Sequence, residues 1–468
     1  MYEARSGEAL PAGRAVVGRW VAAAAVTVAL GWGPSLPARA DVRLPDDLPS
    51  RVVNASTGAE VLLGDVPGLS TGLPAIGVPA MRLKYPFIDG AGQTLAVIDT
   101  GIDYTHPALV GRYVGGYDFA DGDDDPLDWH GHGTHVAGIA VSTDATYAGV
   151  APGANVVGLK VFPDGLALAS DHDIVSALDW VIGHRDEYNI TAVNLSLGNG
   201  EPWTEQDANP LFAREQAFSQ LKDMGVFIAC AAGNDGYLRG VNYPAASPHV
   251  VSVGGTWASD DYSGYIVYWD DARQWDGGEG YVDARMADNG PLQGDIAVIS
   301  NRYRTDDDGE LDLFAPGAVI TSTFPYDLDT DDGEQDGWQA LLGTSMATPH
   351  AAAASMLVRQ ALEANGMLDP DPAGQVDQIL EILQEHGTTL NDWYVGLMRE
   401  EGLGDHRNLV QVPKGDDLGA DWYIRMGSNE QYALIDLDAA ISSIDPIPEP
   451  TGAVLLVLGA AALLRRRH

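Results

Sequence analysis

The sequence predicts an α/β domain with a mostly parallel central sheet flanked by helices. Three observations carry that expectation. Short apolar runs recur along the chain, amphipathic helical patterns separate them, and 45% apolar residues in 468 suffice for a substantial core.

The strand candidates are "TLAVID" (94–99), "NVVGLKVF" (155–162), "TAVNLSLG" (191–198) and "GVFIACAAG" (225–233). Each is nearly continuous in apolar residues, as expected of a strand covered on both faces. Between them, "DIVSALDWVIGH" places Ile174, Val175, Leu178, Val181 and Ile182 on one helical face, with Ser170 to Asp173 as cap candidates. Val376, Ile379, Leu380 and Leu383 repeat the pattern further on. The stretch 256–312 is polar, Gly-rich and acidic, and reads as a surface insertion without an assignable role.

Both ends read as addresses rather than as fold. Residues 1–40 combine Arg5, Arg14 and Arg19 with the apolar "VAAAAVTVALGWG" and small residues Ala38 and Ala40, the pattern of a secretory signal. Residues 41–71 are rich in Pro, Gly and Asp and read as a linker or short pro-segment. The folded domain is expected over 72–443. Residues 444–468 form a linker and a tail, "IPEPTGAVLLVLGAAALLRRRH", whose apolar run is short for a stable membrane span of roughly 20 residues. An exported protein is expected.

Against 67 Asp and Glu stand 26 Lys and Arg, a formal charge of -41. That field repels nucleic acid and anionic membranes. The acidic runs are either solvated faces or divalent-cation sites, and composition leaves both open. Cys230 is the only cysteine, so no intramolecular disulfide exists; its apolar surroundings suggest a small core residue.

Three stretches carry chemistry. In "AVIDTGIDYTHP", Asp99 ends a hydrophobic strand, where parallel sheets open their functional crevice. "WHGHGTHVAG" places His130, His132 and His135 within six positions. In "LLGTSMATPHAAAASMLV", Pro349 is tolerated only near a helix start, which puts Ser345 at or inside a first turn. Free N–H groups and the helix dipole there favour negative charge, as an acyl-transfer nucleophile requires.

Asp-Thr-Gly, His-Gly-Thr-His and Gly-Thr-Ser-Met-Ala-Thr-Pro-His, in this order, resemble the subtilisin-like serine proteases. The resemblance runs from about residue 72 to 443 and implies the subtilisin-like three-layer fold. It implies that Ser345 attacks a scissile carbonyl, that His132 takes and returns its proton, and that Asp99 fixes the imidazole. By the same resemblance Asn234 of "AAGNDG" is the oxyanion-hole asparagine. Ser196, Leu197 and Gly198 of "NLSLGNG" pair with an extended protein or peptide substrate, with Gly198 leaving room for a side chain. His135 is expected to be packing and His130 a rim residue.

"GYDFADGDDDPLDWHGHGTH" (116–135) is similar to a calcium loop of thermitase-like subtilases, which would make Asp118, Asp123 and Asp125 ligands of a structural Ca2+. No organic cofactor is implied. The tail resembles the PEP-CTERM sorting signal, which implies processing by an exosortase and a membrane association before or without it. Two rival readings remain. His-x-His-x-x-His resembles a zinc hydrolase pattern, but Thr134 stands where that pattern has an aspartate. A catalytically inactive subtilisin-fold surface or matrix binding protein would have the same fold without turnover. The region ahead of the domain is also shorter than the folded propeptide usual in the family.

Overall fold

A computed structural model describes residues 71–166, 168–201, 203–204, 212–236, 240–261, 292–297, 299–302, 311–329, 335–391, 431–445 and 447, together with the backbone of short strands at 42–43, 51–54, 60–61, 265–270, 280–283, 394–399, 409–411 and 422–426. The signal-like segment 1–40 and the apolar run of the tail lie outside the described residues. Among those that are described, no helix is long and apolar enough to cross a membrane.

Eleven strands matter for the site: β1 (Thr94–Asp99), β2 (Tyr113–Asp118), β3 (Asn155–Lys160), β4 (Ile190–Leu195), β5 (Phe227–Ala231), β6 (Val251–Trp257), β7 (Leu313–Ala318), β8 (Ile320–Thr323), β9 (Trp338–Leu341), β10 (Thr388–Asn391) and β11 (Gln431–Leu434). Nine of them form one sheet in the order β10-β11-β7-β6-β5-β4-β1-β3-β2. Every pairing is parallel except β10 with β11 at one edge. β1, β4, β5 and β6 are buried at every position, so the continuous apolar runs reflect strands covered on both faces. Cys230 is a buried free thiol on β5, as its surroundings suggest.

The helices are α1 (Val78–Lys84), α2 (His132–Val141), α3 (Asp171–Tyr188), α4 (Ala213–Asp223), α5 (Thr344–Asn365), α6 (Pro372–Glu385) and α7 (Leu437–Ser443). α2 and α5 pack on each other and on the sheet; α3 and α4 do the same. This is the expected three-layer α/β arrangement. α3 starts where the sequence indicates, with Ser170 Oγ accepting the N–H of Asp173, and it buries Ile174, Ala177, Leu178 and Val181. It stops at Asn189, which takes the left-handed conformation at φ 51°. Asp371 and Pro372 open α6, which buries Val376, Ile379 and Leu383.

A second sheet was not foreseen. Its order is Leu409–Gln411, Trp422–Met426, Tyr394–Arg399, Gly280–Asp283, Tyr265–Asp270, Arg51–Asn54, Glu60–Val61, and all its pairings are antiparallel. Three distant parts of the chain therefore share one ladder. Part of the 256–312 stretch is sheet, and so is part of the segment read as a linker.

Candidate active site

Three successive strands of the central sheet, β1, β4 and β5, bring the candidate residues to one edge. Asp99 is the last residue of β1, Ser196 follows β4, and Asn234 lies in the turn after β5. Parallel neighbours are about 4.8 Å apart, so three carboxyl ends form a short crest. Two helices begin on it, α2 with His132 and α5 with Thr344 and Ser345.

Asp99 is fully buried, and its Oδ1 lies 2.7 Å from His132 Nδ1 while also accepting the N–H of Thr100 at 2.7 Å. With a carboxylate oxygen facing it, Nδ1 carries a hydrogen, which makes Nε2 the acceptor nitrogen of the ring. The first turn of α2 is pressed onto this strand end. A Cβ on Gly133 would stand 2.1 Å from Gly101 O, so no side chain fits there. Gly131 caps α2 without a side-chain bond of its own. Asp128 serves instead: Oδ1 accepts the N–H groups of His130 and Gly131, and Oδ2 accepts the N–H and hydroxyl of Thr134.

Ser345 is the second residue of α5, close to the expected position, and Pro349 sits in the second turn. Lacking an N–H, Pro349 leaves the carbonyl of Ser345 without its helical donor. The hydroxyl of Ser196 fills that gap at 2.7 Å, itself accepting from Asn194 Nδ2 at 2.9 Å. The Ser345 hydroxyl in turn donates to Ser196 O at 3.3 Å. Nucleophile candidate and substrate-strand candidate are thus tied by two bonds.

Asn234 Oδ1 accepts both the N–H of Thr344 (2.8 Å) and its hydroxyl (2.9 Å). Two donors on that atom fix the orientation of the carboxamide and turn Nδ2 away from Thr344. Nδ2 is buried and has no protein partner among the described residues. A buried donor held in reserve beside a helix N-terminus is what a developing oxyanion needs.

Ser196 and Leu197 are fully buried, main chain and side chain alike, and Ser196 O already accepts from the Ser345 hydroxyl. At Gly198 the space for a Cβ is filled by Asn242, 2.9 Å away; this glycine makes room for a neighbour. His135 behaves as packing. Its Nε2 lies 3.0 Å from Ile320 O and 2.9 Å from Gln339 O, bracing β8 and β9, and burial pushes its pKa down to about 3. His132 and His135 are thus committed to different partners, a carboxylate and two carbonyls, which does not suit a shared zinc.

The calcium expectation is not met by the geometry. Among the described residues no group of three or more His, Cys, Asp or Glu side chains converges as a metal would require. Asp118 Oδ1 accepts the N–H groups of Ala120 and Asp121, and Oδ2 accepts from Lys160 Nζ at 2.9 Å. Asp123 Oδ1 accepts the N–H of Asp125, and Asp125 Oδ1 accepts from Tyr104 Oη. The three carboxylates point to separate partners, and an ammonium already neutralises Asp118. Lys160 also bonds Asp164 at 2.5 Å. Burial opposes its charge, but the bonds to Asp164 and Asp118 outweigh that and raise its pKa.

Comparison with known proteins decides the family. The profile of the Subtilase family (Peptidase_S8) matches residues 90–381, more than half of the chain. The chain belongs to the subtilase family. Thermitase of Thermoactinomyces vulgaris is 29% identical over 283 residues, 60% of this chain and 79% of its own length. Subtilisin BL of Lederbergia lenta is 32% identical over 276 residues, 58% of this chain and 78% of its own. The major intracellular serine protease of Bacillus subtilis (strain 168) is 28% identical over 319 residues, 66% of this chain and 80% of its own. This subtilase is therefore a serine hydrolase of the subtilisin type, with a peptide or protein as the substrate class. Reading the sequence alone missed two buried residues that hold segments near the site: Lys160, hidden in an apolar run, which pairs with Asp118, and Asn301, inside the stretch treated as insertion, whose Nδ2 donates to Ala232 O.

Proposed function

We propose that this subtilase is an exported serine endopeptidase that cleaves peptide bonds through an acyl-enzyme on Ser345. The observation that carries the reading is the 2.7 Å bond between Asp99 and His132 Nδ1 on the crest where α5 carries Ser345 in its first turn. Ser345 Oγ attacks the scissile carbonyl as His132 Nε2 takes its proton. The negative oxygen that forms is met by Asn234 Nδ2 and by the N–H of Ser345 at the start of α5. His132 then returns the proton to the leaving amine, and water enters by the reverse sequence. Asp99 holds the ring in place and steadies the imidazolium.

An extended substrate would run beside Ser196, Leu197 and Gly198, adding main-chain hydrogen bonds. Residues 1–40 as a removable signal, the tail as an exosortase substrate, and a cell-surface or extracellular destination complete the proposal; the apolar runs at the two ends support it.

The deciding measurement is peptidase assay and fluorophosphonate labelling of the wild type beside Ser345→Ala. The wild type is expected to cleave and label, and Ser345→Ala to lose both, with turnover falling by about 10⁶-fold. A wild type that neither cleaves nor labels would leave only the inactive binding scaffold. Cleavage that survives Ser345→Ala would remove the serine mechanism.

A further inference from the structure

We infer that Asn301 is the positioning residue that sets the oxyanion donor of Asn234. The inference rests on the peptidase reading above and adds a residue from outside the three catalytic stretches.

The turn after β5 runs Ala232, Gly233, Asn234, Asp235, with Gly233 at φ 101°, a conformation that disfavours side chains. Asn301 is fully buried against it. Its backbone N–H donates to Gly233 O at 3.0 Å. Its Nδ2 donates to Ala232 O (3.0 Å), and lies 3.2 Å from Asp235 Oδ2 and 3.3 Å from Asn242 Oδ1. Its Oδ1 accepts the N–H of Asp235 at 3.1 Å. One carboxamide and its own N–H therefore bind Ala232, Gly233 and Asp235, and leave Asn234 between them for the cleft.

The segment that carries Asn301 is itself fastened on both sides. Gly236 N–H donates to Ile299 O at 2.7 Å, and Gly255 N–H on β6 donates to Ser300 Oγ at 3.0 Å. Asn234 is thus clamped twice. Thr344 at the head of α5 holds its Oδ1, and Asn301 holds the backbone on either side of it.

The chemistry of the clamp is specific to a carboxamide. Nδ2 faces three acceptor oxygens while Oδ1 faces a donor, so a carboxylate at 301 would set negative charge against all three acceptors. A displacement of about 1 Å at such a site costs on the order of 10²-fold in rate, because the donor must meet the oxygen where charge develops.

The test is a double-mutant cycle in the full-length protein, with active sites counted by fluorophosphonate titration so that unfolded molecules do not enter the rates. Asn301→Ala is expected to lower kcat by about 10- to 100-fold with KM within about two-fold, because the lost interaction belongs to the transition state. Asn301→Asp is expected to lower kcat further. In an Asn234→Ala background, Asn301→Ala is expected to cost less than about two-fold more, since the donor it positions is gone. Asn301→Ser, which retains a hydroxyl, serves the same cycle where the alanine variant does not fold. Equal losses in both backgrounds, or an Asn301 variant with full kcat, would overturn the inference. If Asn234→Ala itself keeps full turnover, the oxyanion assignment fails instead, and a wild type without labelling fails the peptidase reading.

Discussion

Asp99 and Asp118 occupy equivalent places in the sheet. Each ends a parallel strand, each is buried, and each is in register with Lys160 on the strand between them. Asp99 holds an imidazole at 2.7 Å, whereas Asp118 holds an ammonium at 2.9 Å. An imidazole exchanges its proton in the neutral range, while an ammonium bonded to carboxylates stays charged. The fold supplies the same niche twice, and the partner decides whether the niche is suited to proton transfer or to holding a loop.

Asp99→Asn tests the first niche. It preserves shape but leaves His132 without the carboxylate, and kcat is expected to fall by about 10⁴-fold with little change in melting temperature. A large loss of stability with ordinary turnover would reverse the assignment of the two niches. Lys160→Met tests the second. It removes the ammonium that pairs with the buried Asp118 carboxyl, and is expected to cost about 3 kcal/mol by denaturant titration, with kcat per titrated site unchanged. In the wild type, adding calcium is expected to leave amide hydrogen exchange in the 118–125 loop unchanged, because Lys160 already supplies the positive charge there. Protection of that loop on adding calcium would restore a cation to it.

The pH-dependent effect concerns His135, whose pKa of about 3 in the folded protein lies below the ordinary 6.5. Between those values the unfolded chain binds a proton that the folded one does not. Stability is therefore expected to decline as pH falls from 6.5 towards 3 and to recover as it rises. His135→Gln keeps a donor for the carbonyls of β8 and β9 without titrating. Its loss of stability from pH 7 to pH 4 should be smaller than the wild type's by up to about 3 kcal/mol. Parallel acid curves would show that other groups dominate.

The legible parts of this molecule are those whose partners are written in one contiguous stretch. β1, β4 and β5 announce themselves because strands buried on both faces are apolar throughout, and Asp99, His132 and Ser345 sit inside short motifs of local geometry. Lys160 and Asn301 escape because their meaning is tertiary. A lysine ending "NVVGLK" has no visible partner until β2 lies beside β3, and the "SN" of 300–301 gains its role only beneath the turn of Asn234. The acidic loop is a similar case: spacing alone does not reveal that Lys160 reaches Asp118 and Asp164. The antiparallel sheet was unreadable because its strands are short and come from regions hundreds of residues apart.

The placement of β11 has a consequence for how the protein is made. This strand, near the end of the domain, pairs with β7 on one side and β10 on the other, so it is wedged between strands synthesised before it. A ribosome would have released residue 345 well before the sheet that supports it could close. The β10–β11–β7 edge of the sheet therefore closes only when nearly the whole polypeptide is available, whereas β1, β4, β5 and α5, which carry the crest, are all complete by residue 365.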